Sequence, residues 1–332
     1  MDRRFEYNSI FAPHIRDFIK MRQGYGHLCL RLQWILLEFD RFFVEMGTTD
    51  LYITGDLIDK WRSTRVNDSE STLYAKYSAW SQFTRYMCNI GQDCHIPRIP
   101  KNHGKNNFTP YIFSHKEIGA IFRECDALRL YDRRMSTNLF IIPTIVRLLY
   151  GTGIRVSEAL SLRNGDVDLG SGTLTLRRTK NGEQRLVPLS GTLQQVIEQY
   201  LGMRDGMPLS NVDDPKGYLF ISPNGSHCRS GSVYNWFRKA LANCGIQHIG
   251  NHHGPRVHDL RHTFAVHSLI KLEKSGHDLY HSLPILSTYL GHRSIGSTEQ
   301  YVRLTQEMYP ELLNDQRKIC SYVFPKTKIL EP

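Results

Sequence analysis

Between Ile15 and Met46 the apolar residues Ile15, Phe18, Ile19, Leu28, Leu32, Ile35, Leu36, Phe39, Phe42 and Phe43 recur at the spacing that lines one face of a helix. Gly24 and Gly26 interrupt the pattern, so it predicts two helices. Thr54 precedes a short third helix carrying Leu57, Ile58 and Trp61. A fourth runs from about Ser71 to Ile90, with Leu73, Tyr77, Trp80, Phe83, Tyr86 and Met87 on its buried side. Residues 97–110 are polar, hold Pro97, Pro100, Gly104 and Pro110, and carry no periodic pattern, as a linker would. Beyond them Ser114 can cap a helix with Ile118, Ile121 and Phe122 inward. An apolar run from Leu139 to Tyr150 ends at Gly151-Thr152-Gly153, and a new helix starts directly after Arg155.

The period then changes from helical to alternating. Leu174 and Leu176 alternate with Thr173, Thr175 and Arg177; Lys180-Asn181-Gly182-Glu183 supplies an Asn-Gly turn; Leu186-Val187-Pro188 closes the partner strand. Lys180 therefore falls at the tip of a hairpin. Segments 190–201 and 232–242 read as core helices, and Val257 to Ala265 begins another. The Tyr309-Pro310 step ends the helical region. After it come a short amphipathic piece from Glu311 to Lys318 and the apolar Tyr322, Val323 and Phe324, which need a surface to cover. The pattern predicts a mainly α fold with a small β-sheet or hairpin, in two domains: a helical one over 1–96, a linker over 97–110, a mixed α+β one over 111–309, and a tail over 310–332.

Charge adds a partner. Of the net +10 of the 332-residue chain, +9 lies in residues 101–332, which points that part toward a polyanion, although a basic surface kept for solubility would look the same. Seven scattered cysteines, an odd number with no C-x-x-C pair, fit reduced thiols in the cytoplasm. Neither a signal peptide nor a membrane span is expected, since the run from Leu139 to Val146 is interrupted by Pro143 and stopped by Arg147.

The candidate chemistry centres on Leu290-Gly291-His292, followed nine residues beyond the histidine by Tyr301. A phenol is a weak nucleophile near neutral pH, so a reacting tyrosine needs cations that stabilise both the phenolate and the anion it attacks. Arg155 in Gly151-Thr152-Gly153-Ile154-Arg155-Val156-Ser157-Glu158, and Arg261 in His258-Asp259-Leu260-Arg261-His262, can supply them. At a helix N-terminus the Arg155 guanidinium suits a phosphate, yet a pair with Glu158 is equally open. His258 and Arg261, three apart, share a helix face. His258 and His262, four apart, also match the zinc-binding H-E-x-x-H spacing, but the glutamate is missing and Arg261 would set a positive charge against the metal.

Two arginines, two histidines, a lysine and a late tyrosine in this order resemble the tyrosine recombinase (phage integrase) family over about residues 110 to 310. The resemblance implies that Tyr301 attacks a scissile phosphate to give a 3'-phosphotyrosine, with Arg155, Arg261, His258 and His292 as its donor set and Lys180 protonating the leaving 5' oxygen. It implies neither metal nor ATP, double-stranded DNA as substrate, a tetramer in the synaptic complex with accessory DNA-bending proteins compatible with it, and a cytoplasmic, nucleoid-associated enzyme of a mobile element. It also makes the helical domain a core-binding domain, in which Lys76 and Arg85 are either phosphate contacts or solvated charges. Lys101 and Lys105 of the linker would pass near DNA. Thirty residues separate Arg261 from His292, more than in compact members, which opens the alignment of the intervening helices. A type IB topoisomerase or a DNA-binding protein without catalysis are the alternatives.

Overall fold

The computed structural model describes residues 5–26, 29–101, 109–129, 138–177, 179, 183–248, 254–292 and 294–308. The chain forms two compact units, Met1–Phe108 and Thr109–Pro332. No described helix is long and apolar enough to cross a membrane.

The first unit holds α1 (Ala12–Gly24), α2 (Leu30–Glu45), α3 (Gly55–Ser63) and α4 (Glu70–Asn89). Side-chain caps set two of the starts: Thr54 accepts the N–H of Leu57 ahead of α3, and Ser69 that of Thr72 ahead of α4. The core is aromatic. Phe39 stacks on Trp80 with centroids 3.9 Å apart, and Trp61 meets both edge-on. Asp40, 1% exposed, accepts the backbone N–H groups of Asn8 (2.7 Å) and Ser9 (3.0 Å), fixing the chain that enters α1.

The second unit begins with α5 (His115–Ala127), started by a capping box between Ser114 and Glu117. Then come a single 3-10 turn (Leu139–Ile141), α6 (Ile142–Thr152) and α7 (Val156–Ser161). Strands β1 (Val167–Asp168), β2 (Thr173–Leu176) and β3 (Arg185–Pro188) form an antiparallel sheet in that order, with Leu174 opposite Val187 and Leu176 opposite Arg185. The alternation exposed β2 and β3 in the sequence, whereas β1, two residues long, is too short to show a period. After the sheet lie α8 (Gly191–Asp205), α9 (Ser230–Asn243), α10 (Asp259–Lys274), α11 (Leu279–Leu290) and α12 (Gly296–Met308).

Helix α6 is apolar nearly all round and packs against α5, α8, α9 and α10, as the central helix of a layer must. A second cluster joins α10, α11 and α12 through Leu269, Leu283, Leu290 and Tyr301, with Ile112 from the entering segment. The thirty residues between Arg261 and His292 are the remainder of α10, a turn and α11, so they pack the helix that carries Tyr301.

One reading requires correction. Lys76 is neither a solvated charge nor a free phosphate ligand in this structure: it is 8% exposed, and its Nζ lies 2.7 Å from both Glu38 and Asp68. Helical spacing put it on a polar face, but Glu38 on α2 and the loop residue Asp68 close over it. Arg85 on the same helix is exposed. Lys76→Ala, which leaves two carboxylates facing each other, should therefore destabilise the first unit by about 2 kcal/mol. Arg85→Ala should stay within about 0.5 kcal/mol. Urea unfolding read by tryptophan fluorescence measures both, and equal midpoints would contradict the pairing.

Candidate active site

The site is built where two glycine turns meet one buried arginine. Gly153 ends α6 at φ +61°, and a Cβ there would fall 2.3 Å from a Phe264 ring carbon, so only glycine fits. This turn frees the Gly153 carbonyl, which accepts Nη1 of Arg261 at 2.7 Å. It also delivers Arg155 to the start of α7. Glu158, 2% exposed, accepts the backbone N–H of Arg155 at 2.9 Å and its Nη1 at 2.9 Å. The pairing left open by the sequence is thus made, through one guanidinium nitrogen, while the Arg155 side chain remains 19% exposed. Burial works to raise the Glu158 pKa, but hydrogen bonds from Arg185 and from the Arg155 backbone, with both cationic charges, hold it below the ordinary value.

Arg261 is 2% exposed. Besides Gly153 it donates through Nη2 to the Leu290 carbonyl at 2.8 Å and to Nε2 of His292 at 2.9 Å. Burial, then Arg155, pulls its pKa down to about 10, so it stays charged at neutral pH. Arginine can only donate, so Nε2 of His292 is the acceptor and Nδ1 carries the hydrogen given to Thr298 Oγ1 at 2.7 Å. His292 is accordingly neutral: burial and then Arg261 lower its pKa to about 4.

Tyr301, on α12, is 1% exposed, and its hydroxyl lies 3.0 Å from Nδ1 of His262. His262 belongs to α10, next to Arg261, and its ring meets that of His258 edge-on at 4.9 Å. Burial, then His258, brings the His262 pKa down to about 3; burial, then Arg261, brings that of His258 to about 4. Both rings are neutral at pH 7. Burial raises the Tyr301 pKa, with Arg261 and Arg155 pulling it back, so the phenol keeps its proton; in the tautomer with hydrogen on Nε2 of His262, the hydroxyl donates to Nδ1. The site is a buried phenol against a neutral imidazole, inside a field set by two arginines.

Five of the six expected catalytic residues, Arg155, His258, Arg261, His292 and Tyr301, come together here. Lys180 lies outside the described residues, although the strands on either side of its turn are formed as expected. Of the four DNA-contact candidates, Lys76 is paired internally, Arg85 and Lys101 are exposed, and Lys105 lies outside the described residues. Two side chains at the site went unassigned in the sequence. His262 entered only as half of a zinc spacing; among the described residues no group of three or more His, Cys, Asp or Glu could hold a metal ion. Its adjacency to Arg261 was the signal available. Arg185, which binds Glu158, carried none.

Comparison with known proteins gives this geometry its family. The model of the phage integrase family matches residues 112–308. A tyrosine recombinase XerC of Oceanobacillus iheyensis is 31% identical over 72% of this chain and 72% of its own length. A Sinorhizobium fredii protein, y4rB, provisionally named an integrase/recombinase, is 28% identical over 92% of this chain and 96% of its own. Among solved structures, XerH bound to its palindromic difH substrate shares the fold with a TM-score of 0.59, at 20% identity over 83% of this chain and 76% of that one. A lambda integrase dimer bound to a COC' core site does so at 0.58, with 17% identity over 89% and 77%. The family match runs through every residue of the site, from Arg155 to Tyr301, and the chain belongs to the phage integrase family of tyrosine recombinases.

Proposed function

We propose that this protein is a site-specific DNA recombinase that breaks and rejoins double-stranded DNA through a phosphotyrosine. The observation that carries the reading is the Tyr301 hydroxyl, buried, protonated and 3.0 Å from Nδ1 of His262, beside Arg261. Its oxygen attacks the scissile phosphorus, the P–O5' bond breaks, and a 3'-phosphotyrosine and a free 5' hydroxyl result. Arg155 and Arg261 take the non-bridging oxygens and stabilise the charge of the pentacoordinate transition state. His258 adds a donor, whereas His292, which accepts from Arg261 at Nε2 and donates to Thr298 from Nδ1, orients that guanidinium. Lys180 gives the proton that the leaving 5' oxygen needs. Religation runs these steps backwards on a new 5' hydroxyl, and because the phosphotyrosine conserves the bond energy, neither ATP nor metal enters the scheme.

The tyrosine proton passes to His262 Nδ1. In the free protein this imidazole is too weakly basic to hold it, because burial and the cationic surroundings disfavour its charged form. A phosphodiester seated between Arg155 and Arg261 brings negative charge that offsets the arginines, so DNA binding itself raises the basicity of His262. The base becomes competent only with substrate in place.

In this reading the helical first unit is the core-binding domain, with Arg85, Lys101 and Lys105 as its phosphate contacts, and recombination proceeds in a tetramer on two duplexes. The tail over 310–332, outside the described residues, docks on the neighbouring subunit and links activity to assembly. Its apolar Tyr322, Val323 and Phe324 support this role.

Three outcomes are expected. Incubated with a pool of nicked duplexes of random sequence, the full-length protein should yield covalent adducts that survive denaturation, and sequencing the attached DNA should reveal a preferred site. Tyr301→Phe should bind that site and form no adduct; adducts in the Phe variant would make another tyrosine the nucleophile. On the recovered site, Arg155→Ala or Arg261→Ala should slow adduct formation roughly 100-fold or more, equivalent to about 3 kcal/mol. A bridging 5' sulfur, which leaves without a proton, should rescue Lys180→Ala and neither arginine variant; equal rescue of all three would remove Lys180 from its role.

The third concerns pH. With His262 as base, the wild-type rate should be level above about pH 7, once the imidazole is neutral in the complex. His262→Asn keeps an acceptor near the phenol but no basicity, so its rate should follow the phenolate fraction and rise roughly tenfold per pH unit. A slow variant with a level profile would reduce His262 to a packing role.

A further inference from the structure

Arg185 sits on β3, the antiparallel partner of β2, and its side chain is 12% exposed. Its Nη1 and Nη2 donate to the two carboxylate oxygens of Glu158 at 3.2 and 2.9 Å, and Nε donates to the Tyr289 carbonyl at 3.0 Å. The same side chain packs over a glycine of the Leu290-Gly291-His292 turn. Gly291 has φ +66°, and a Cβ there would stand 2.8 Å from Nη1 of Arg185. One guanidinium therefore joins β3, α7 and the end of α11, the last two of which adjoin Arg155 and His292.

The geometry at Glu158 has a chemical consequence. A carboxylate and a guanidinium bind best as a fork of two parallel hydrogen bonds. On Glu158 that fork belongs to Arg185, while Arg155 contributes one Nη and its backbone N–H. Two arginines on one carboxylate leave a net positive charge, and Arg155 is the more exposed of the two, at 19% against 12%. Without Arg185, the buried carboxylate would have Arg155 as its one cationic partner in this network and would draw the whole guanidinium into a fork, neutralising it.

We propose that Arg185 is a positioning residue: it occupies the bidentate seat on Glu158 and so keeps Arg155 free to receive a phosphate-like oxyanion. This rests on the reading of Arg155 as a phosphate ligand given above. The competing role for Arg185 is to dock the hairpin, with no influence on the charge of Arg155. Glu158→Gln separates the two, because the amide keeps an acceptor for the Arg155 backbone while removing the charge onto which Arg155 would collapse.

The test uses the full-length chain and inorganic vanadate, an oxyanion of phosphate shape, titrated by calorimetry without DNA. Wild type should bind vanadate, and Arg155→Gln should abolish binding. Arg185→Gln should weaken it about tenfold or more. The double variant Glu158→Gln/Arg185→Gln should return to within about threefold of Glu158→Gln alone. Circular dichroism melts identify any variant that does not fold; should Arg185→Gln be one, Arg185→Lys, which keeps the charge without the fork, should fold and bind with intermediate affinity. Absence of vanadate binding by wild type, equal binding by wild type and Arg185→Gln (or Arg185→Lys in its place), or a double variant as weak as Arg185→Gln would each overturn the proposal. Failure to form DNA adducts, with the vanadate pattern intact, would instead overturn the recombinase reading alone.

Discussion

A guanidinium buried without acceptors is among the costliest arrangements a protein can adopt, and Arg261 is 2% exposed. Its acceptors are the carbonyls of Gly153 and Leu290 and Nε2 of His292, drawn from segments far from it in sequence. Each is available only because a glycine turns the chain beside it, Gly153 at φ +61° and Gly291 at φ +66°. Until both turns form, Arg261 has no satisfied place in the core. Folding of the second unit and assembly of its active site are for this reason one event, and the motifs that mark the family in sequence are the structural supports of the charge they bring together.

The same burial sets the protonation states. Burial, with the Arg261 charge adding to it at all three rings, pushes His258, His262 and His292 to pKa values of about 4, about 3 and about 4. All three are neutral and able to accept hydrogen bonds, which is what a phenol holding its proton requires. Cation and nucleophile are thus kept apart chemically while they are adjacent in space. In the proposed reaction an incoming phosphate would change that balance, and the substrate would supply part of the charge that activates the nucleophile.

How much of this could be read from the chain depended on whether a residue's role was local. The helices announced themselves through periodicity, and the glycine-arginine, His-x-x-Arg and Leu-Gly-His motifs named Arg155, His258, Arg261 and His292, which lie at or beside helix ends, together with Tyr301 within α12, as side chains that the structure brings together. His262 was legible as a histidine on the right helix but was read against zinc, since its partner Tyr301 approaches from α12, thirty-nine residues away. Arg185 was silent for the same reason: β3 shows only that it is on a strand, while its meaning comes from Glu158 on α7 and Tyr289 on α11. Lys76 failed in the opposite direction. A polar helical position suggested solvent, and Glu38 and Asp68 converted it to an internal ion pair.

In the proposed reaction one tyrosine, activated by arginine and histidine side chains, carries the covalent bond to DNA. This is tested most directly by forming the adduct in excess EDTA, digesting protein and DNA, and locating the residual nucleotide by mass spectrometry. A single modified peptide, with a 3'-phosphonucleotide on Tyr301, is expected. Modification of Tyr289 or Tyr309, or an adduct that forms only when a divalent metal is restored, would contradict it.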